Sequence, residues 1–174
     1  MPINLSNDRL IRVSKATKSI IDNWEEGVSL QNVSGHDIAS LMRLVASDRW
    51  RLGVEHRRQA NIILKQVKPL YRSAISRYYY AMYHSMRACV YIYYRGDDNE
   101  KHMSLPQNIP ADFDTSVNWQ NTLKTARETR NRADYDPYPK TDLAWRKYAL
   151  DIRTDADQLA LVTRAYLRRK GCIV

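Results

Sequence analysis

Apolar positions in this chain recur every three or four residues and nowhere alternate, a pattern that predicts helices and no strand. From the N-terminus, Leu10 to Ile21 is a short periodic run. Its polar sequel Asp22-Asn23-Trp24-Glu25-Glu26-Gly27 predicts a helix stopped by glycine. Ser34, with Asp37 three residues on, resembles a capping box with Asp in place of the usual Glu. Behind it Ile38, Leu41, Leu44 and Val45 share one helical face, predicting a helix that reaches Arg51, with Gly53 ending or loosening it. Val54 to Gln66 follows with a charged start and the apolar run Ile62-Ile63-Leu64, and Pro69 marks a boundary that the first turn of the next helix tolerates.

That next helix is the most unusual in the chain. Eight of the 12 tyrosines lie between Tyr71 and Tyr94. At about 100° per residue, Ala74, Ala81, Ser85, Ala88 and Ile92 form a small-residue stripe against which another helix can pack closely. Beside the stripe, Arg77, Tyr80, His84, Arg87 and Tyr91 occupy an arc of roughly 80°. The arc has a functional reading, and a plain one in which long side chains snorkel from the surface. Residues 95–118 read as a long irregular stretch with Gly96-Asp97-Asp98, Pro106 and Pro110, and loops of that length in a compact domain tend to be functional or mobile. Trp119, Leu123 and Ala126 open a helix that must end near Asp134, because Pro137 disfavours helix at Asp136. Thr141 is a suitable N-cap for the last helix. Trp145, Tyr148, Ile152, Leu159, Val162 and Tyr166 continue its apolar face, and Arg168-Arg169-Lys170-Gly171 closes it with charges and a glycine suited to a C-terminus. The expectation is an all-α bundle of four to five helices, residues 34–174, preceded by an extension, residues 1–33, with one short extra helix.

Size and charge narrow the picture. With 174 residues, 44% of them hydrophobic, the chain can bury one core. No run of about 18 apolar residues offers a membrane span. The segment MPINLSNDRLIR lacks the apolar stretch and small-residue cleavage site of a secretory leader. Cys89 and Cys172 form no disulfide framework, and Cys172 stands third from the end, where prenylation needs the fourth position. These features together predict a reduced, cytoplasmic protein. The net charge is +9, and it is uneven: residues 1–50 carry six basic and six acidic side chains, residues 51–100 nine and four. Such an excess favours encounter with polyanions, RNA or DNA first, although a solvated basic surface gives the same composition.

Candidate chemistry is mostly exclusion. His36, His56, His84 and His102 show no HExxH or i, i+4 pairing, and no CxxC exists, so no metal is expected. Clustered glycines for a phosphate loop and a Gly-x-Ser-x-Gly elbow are absent, and no cofactor is expected. The arginine-rich helix is different. Arg127 and Arg130 share a face, Arg132 follows, and Arg130-Asn131 with Ala133-Asp134-Tyr135 brings an amide, a carboxylate and a phenol beside a guanidinium. An arginine fork suits a phosphate and the extra charge of a pentavalent transition state. The plain alternative is an Arg130–Asp134 ion pair one turn apart, worth a few tenths of a kcal/mol.

Two of these segments together resemble the signature helices of the HEPN superfamily. Arg77-Tyr78-Tyr79-Tyr80-Ala81-Met82-Tyr83-His84 is similar to its RYYYAxxH helix, and Arg130-Asn131 to the Arg and polar residue that precede a histidine by four to six residues. Here Asp134, Tyr135 and Asp136 stand where that histidine would be, which resembles a subgroup with Ala-Asp-Tyr in that region. The resemblance covers roughly residues 36–168. It implies a compact helical fold and a metal-independent endoribonuclease of a toxin–antitoxin or antiviral defence system, with a homodimer bringing two motifs into one cleft.

Arg130, Asn131, Asp134, Tyr135 and His84 would then be the catalytic group, with Arg77, Arg87, Arg127 and Arg132 contacting RNA. Free tyrosine titrates at about 10 and free aspartate at about 3.9, so neither residue type is poised at neutral pH as histidine is. His84 is the titrating side chain expected to lie close to Arg130. Two alternatives stay open. One is a non-catalytic subunit binding RNA or nucleotide beside a nucleotidyltransferase or other defence partner, with Tyr135 or Tyr138 open to modification. The other is a helical adaptor whose small-residue stripe serves dimerisation.

Overall fold

The structure is a computed structural model that describes residues 6–174. Among the described residues it is all-α, as the periodicity predicts. It consists of α1 (Asn7–Ser14), α2 (Lys18–Ser34), α3 (Ile38–Leu64), α4 (Tyr71–Tyr94), α5 (Ser116–Tyr135) and α6 (Asp142–Arg169), with a 3-10 turn at Leu105–Asn108 and no strand. None of these helices is long and apolar enough to cross a membrane. The reading of residues 1–12 as free of a leader falls partly on residues 1–5, outside the described residues. The chain divides into two compact units, Met1–Leu41 and Met42–Val174.

In the first unit the pattern predicted one helix and the structure has two. The break lies at Lys15 to Thr17, where the Thr17 hydroxyl accepts from the Ile20 N–H at 3.4 Å and starts α2. Gly27 does not stop α2. A glycine inside a helix costs about 0.5–1 kcal/mol but keeps its hydrogen bonds; termination needs a left-handed residue, and Gly35 at φ 69° supplies it. The cap of α3 is Asp37, whose carboxylate accepts from the Ser40 N–H at 2.6 Å, whereas Ser34 turns to the His36 N–H at 3.2 Å.

In the second unit α4 is the central helix. Ile75, Tyr78, Met82, Met86 and Val90 are buried on it, and α6 contributes Trp145, Ile152, Leu159, Tyr166 and Leu167 to the same core. Burying side chains of this size contributes roughly 1.5–3 kcal/mol each. The small-residue stripe does receive a helix. α3 runs unbroken through Gly53, because Gly53 packs on Ala81 and Ser85; a Cβ there would stand 2.7 Å from the Ser85 hydroxyl and 3.0 Å from the Ala81 carbonyl. Gly53 is therefore a contact glycine and not a helix stop.

Residues 95–115 are irregular but pinned. Leu105, Pro106, Pro110 and Phe113 are buried, and Asp112 takes the Tyr166 hydroxyl at 2.8 Å and the Lys170 ammonium at 2.6 Å. α5 ends where Pro137 requires, with Asp136 already extended at φ −90° and ψ 136°. Thr141 occupies the N-cap of α6, although its hydroxyl makes no capping bond. At the other end the Cys172 N–H reaches Leu167 O and the Gly171 N–H reaches Arg168 O, both at 2.9 Å, closing α6 with a Schellman motif at Gly171, φ 80°.

Two glycine substitutions separate these roles. Gly53→Val should lower stability by about 1–3 kcal/mol through overpacking. Gly27→Ala, where an added Cβ meets nothing within 4 Å, should gain up to about 1 kcal/mol of helix stability. Urea denaturation of both variants checks this, and a neutral Gly53→Val would show that α3 is not held by that close approach.

Candidate functional site

The C-terminal half of α5 lies against the tyrosine-rich face of α4, and Arg130 sits at their junction. Its side chain is 19% exposed. Nη2 donates to the Tyr80 hydroxyl at 2.8 Å and Nη1 to the Asn131 amide oxygen at 3.1 Å. Nε stands 2.8 Å from the Asp134 carboxylate in a charge contact that lacks the angle of a hydrogen bond. The guanidinium also lies over the rings of Tyr80 at 5.4 Å, Tyr135 at 5.7 Å and Tyr79 at 6.0 Å. The plain Arg130–Asp134 pair is thus real, and so is an aromatic cage around the same cation. Asp134 accepts as well from the Ser76 hydroxyl across the helix pair.

His84 joins this cluster, and two histidines that the sequence reading left aside join it too. His56 of α3 stacks on His84 with ring centroids 5.3 Å apart and lies 5.6 Å from the Tyr80 ring. His102, from the 95–115 segment, stacks on Tyr83 at 4.1 Å and pairs its Nδ1 with the Tyr79 hydroxyl at 2.7 Å. The expectation that His84 is the one titrating side chain near Arg130 needs correction: Arg130 acts on His102, and its charge helps hold that imidazole neutral. One signal for His56 existed, since it follows the contact glycine Gly53 by three residues and so shares its face. His102 carried none, because an irregular segment has no period.

The remaining expected residues scatter more widely. Arg77 reaches the His56 Nδ1 at 3.3 Å. Arg127 donates to the His102 carbonyl at 3.3 Å, tying the loop to α5. Arg87 is engaged by the Asp97 carboxylate, shared with Arg49, and by Glu100 at 3.1 Å. Arg132 lies over Tyr148 of α6 at 5.3 Å, on another face of α5 from Arg130. Tyr135 and Tyr138 are 73% and 63% exposed, open to solvent at the helix exit. Arg72 also went unread. It donates to Ala133 O and Asp136 O, both at 2.6 Å, and so holds the α5 terminus that carries Asp134 and Tyr135. A cleft of about 600 Å³ lined by Lys68, Arg72, Asp134, Asp142 and Trp145 opens beside it.

Electrostatics follow from this crowding. Burial, followed by the charges of neighbouring His56 and Arg87, drops His84 to about 4. Burial and Arg77 lower His56, and burial and Arg130 lower His102. The trio is therefore uncharged at neutral pH. Burial works to raise Asp97, but the hydrogen bonds from Arg87 and Arg49 outweigh it and hold that carboxyl below its ordinary range. Burial pushes the Tyr79 and Tyr83 phenols up, so both keep their protons. Among the described residues no group of three metal-type side chains is arranged to hold a metal ion.

The fold and site define a helical-bundle protein with an arginine–tyrosine–histidine centre. No family model, curated protein or solved structure matches the chain.

The depressed histidines make stability depend on pH in a set direction. Their neutral forms are favoured on folding, so this stability is fully present above the unfolded value of 6.5 and is lost as pH falls toward the folded value of about 4 for His84. Denaturant melts between those limits should show a falling midpoint, with a shallower slope in His84→Gln. Equal slopes in the two proteins would refute the assignment.

Proposed function

We propose that this chain is a HEPN-type RNA-acting protein and a metal-independent endoribonuclease. The observation that carries the reading is Arg130, a largely shielded guanidinium held in one orientation by Tyr80, Asn131 and Asp134. An arginine fixed before the substrate arrives supplies transition-state charge without reorganisation. Two of its five N–H groups are hydrogen-bonded and a third, on Nε, stands against the Asp134 carboxylate, which leaves two for a phosphate oxygen.

In the corresponding reaction the RNA 2′-oxygen bonds to phosphorus while the P–O5′ bond breaks. A neutral imidazole takes the 2′ proton, and the departing 5′-oxygen takes one from water. His84, uncharged and with its ring centroid 6.3 Å from the Tyr80 ring, suits the first of these roles. A homodimer bringing two such centres together, and service in a toxin–antitoxin or antiviral defence system, belong to the same proposal through the HEPN resemblance.

A second reading is favoured by one feature. Asp134, Tyr135 and Asp136 stand where the motif histidine would be, and the Asp134 carboxylate already neutralises Arg130. A non-catalytic subunit that binds RNA or nucleotide, with exposed Tyr135 and Tyr138 open to modification by a nucleotidyltransferase-like partner, fits that feature.

RNA cleavage by the purified protein with EDTA present, wild type beside Arg130→Ala, separates the two. The expected result is wild-type cutting that falls by about 10²–10³ in the variant, the scale of losing one preorganised charge-stabilising donor. Undiminished cutting by Arg130→Ala sinks the nuclease reading. Absence of cutting by either protein, with RNA retained on a filter, selects the binding subunit.

A further inference from the structure

The tautomer of His102 is set by a phenol that has nowhere else to turn. Tyr79 is 3% exposed, and a buried hydroxyl must be hydrogen-bonded. Its partner among the described residues is His102 Nδ1, at 2.7 Å. A phenol that keeps its proton satisfies that proton only if Nδ1 accepts it, so Nδ1 is bare and the hydrogen of the neutral imidazole sits on Nε2. Nε2 lies across the ring from Tyr79, and His102 is an exposed residue. The groups facing this ring are Tyr79, Tyr80, Tyr83, His84 and Arg87 from α4 and Arg127 and Arg130 from α5. No carboxylate among them would stabilise an imidazolium, and three guanidinium groups oppose one.

Arg127 holds the segment in place by donating to the His102 carbonyl at 3.3 Å, and it stands one turn from Arg130 on the same face of α5. Two guanidinium groups therefore lie near this imidazole, and all three side chains offer N–H donors. We infer that His102, Arg127 and Arg130 form a single phosphate-binding site in which His102 contributes a neutral Nε2–H donor and not a base. This rests on the RNA reading above for the nature of the phosphate, a diester of a single-stranded backbone. The 95–115 segment thereby delivers the third donor to a site whose other two come from α5.

The test is fluorescence anisotropy with a labelled single-stranded RNA oligonucleotide of mixed sequence, in EDTA at fixed salt, using the full chain. His102→Gln keeps an N–H at the Nε2 position, whereas His102→Ala removes it. The expected outcome is about tenfold weaker binding for His102→Ala, binding within about threefold of wild type for His102→Gln, and the same wild-type affinity at about pH 6 and about pH 7.5. Tyr79→Phe, which retains the ring, frees Nδ1, and its binding should tighten on acidification where wild type does not.

Equal weakness of His102→Gln and His102→Ala overturns the inference, as does wild-type binding that tightens at the lower pH. Full binding by His102→Ala beside weakened binding by Arg130→Ala removes His102 from the site and leaves the RNA reading standing. Full binding by both variants overturns the inference by placing RNA away from this cluster, and no binding by wild type ends both readings.

Discussion

Four phenol hydroxyls in the middle of one helix have to be hydrogen-bonded, and much of the second unit is arranged around meeting that demand. Tyr78, Tyr79 and Tyr83 of α4 are buried and Tyr80 is half-buried, so none can rely on water alone. Each recruits a different part of the chain. Tyr78 donates to Asn61 of α3 at 2.7 Å, Tyr79 pairs with His102, Tyr80 accepts from Arg130 of α5, and Tyr83 donates to the Glu100 carbonyl. A central helix built from leucine would bury as much area and specify none of these partners. Here the polar ends of the aromatic rings fix which face of α5 turns inward and draw residues 95–104 down onto the bundle. They also put a largely shielded guanidinium near the α5 terminus and gather three imidazoles around the Tyr80 ring.

The second constraint is charge. Arg49, Arg77, Arg87, Arg127 and Arg130 gather around α4 with Asp97, Glu100 and Asp134 as the acidic counterweights. The histidines answer by staying neutral. His84, stacked on His56 and ringed by arginines, meets a medium in which a further cation is repelled and poorly solvated. The close seating of α3 at Gly53 contributes to this. It brings His56 one turn further along onto the α4 surface, where stacking removes both rings from water.

The fold was legible wherever periodicity or a backbone rule governs. The tyrosine-rich helix, the end of α5 before Pro137 and the glycine closing α6 all follow from local chemistry, and they stand where that chemistry puts them. Glycines inside helices were the errors. Gly27 and Gly53 look alike in sequence, and only tertiary context separates an open position from a close crossing. At the site, the α5 residues and His84 were readable because they share faces of regular helices. His102 and Arg72 were not: one comes from an irregular segment, and the other acts through backbone carbonyls 61 and 64 residues away. Arg87 was readable as a cation on the arc but not as the partner of Asp97, because ion pairing across a loop leaves no periodic trace.

The carboxylate one turn past Arg130 changes what the neighbouring groups can do. With Asp134 there, Arg130 gains a carboxylate on Nε, and the positive field at the α5 exit is partly cancelled from within. The field that remains comes from Arg127 and from the terminal N–H groups of Arg130 that make no hydrogen bond. On the proposed RNA reading, such a surface holds a phosphate by geometry more than by net charge. The two imidazoles beside Tyr80 on its α4 and loop sides occupy different surroundings. His84 and His102 are separated in that way by Tyr80 and Tyr83, which touch both.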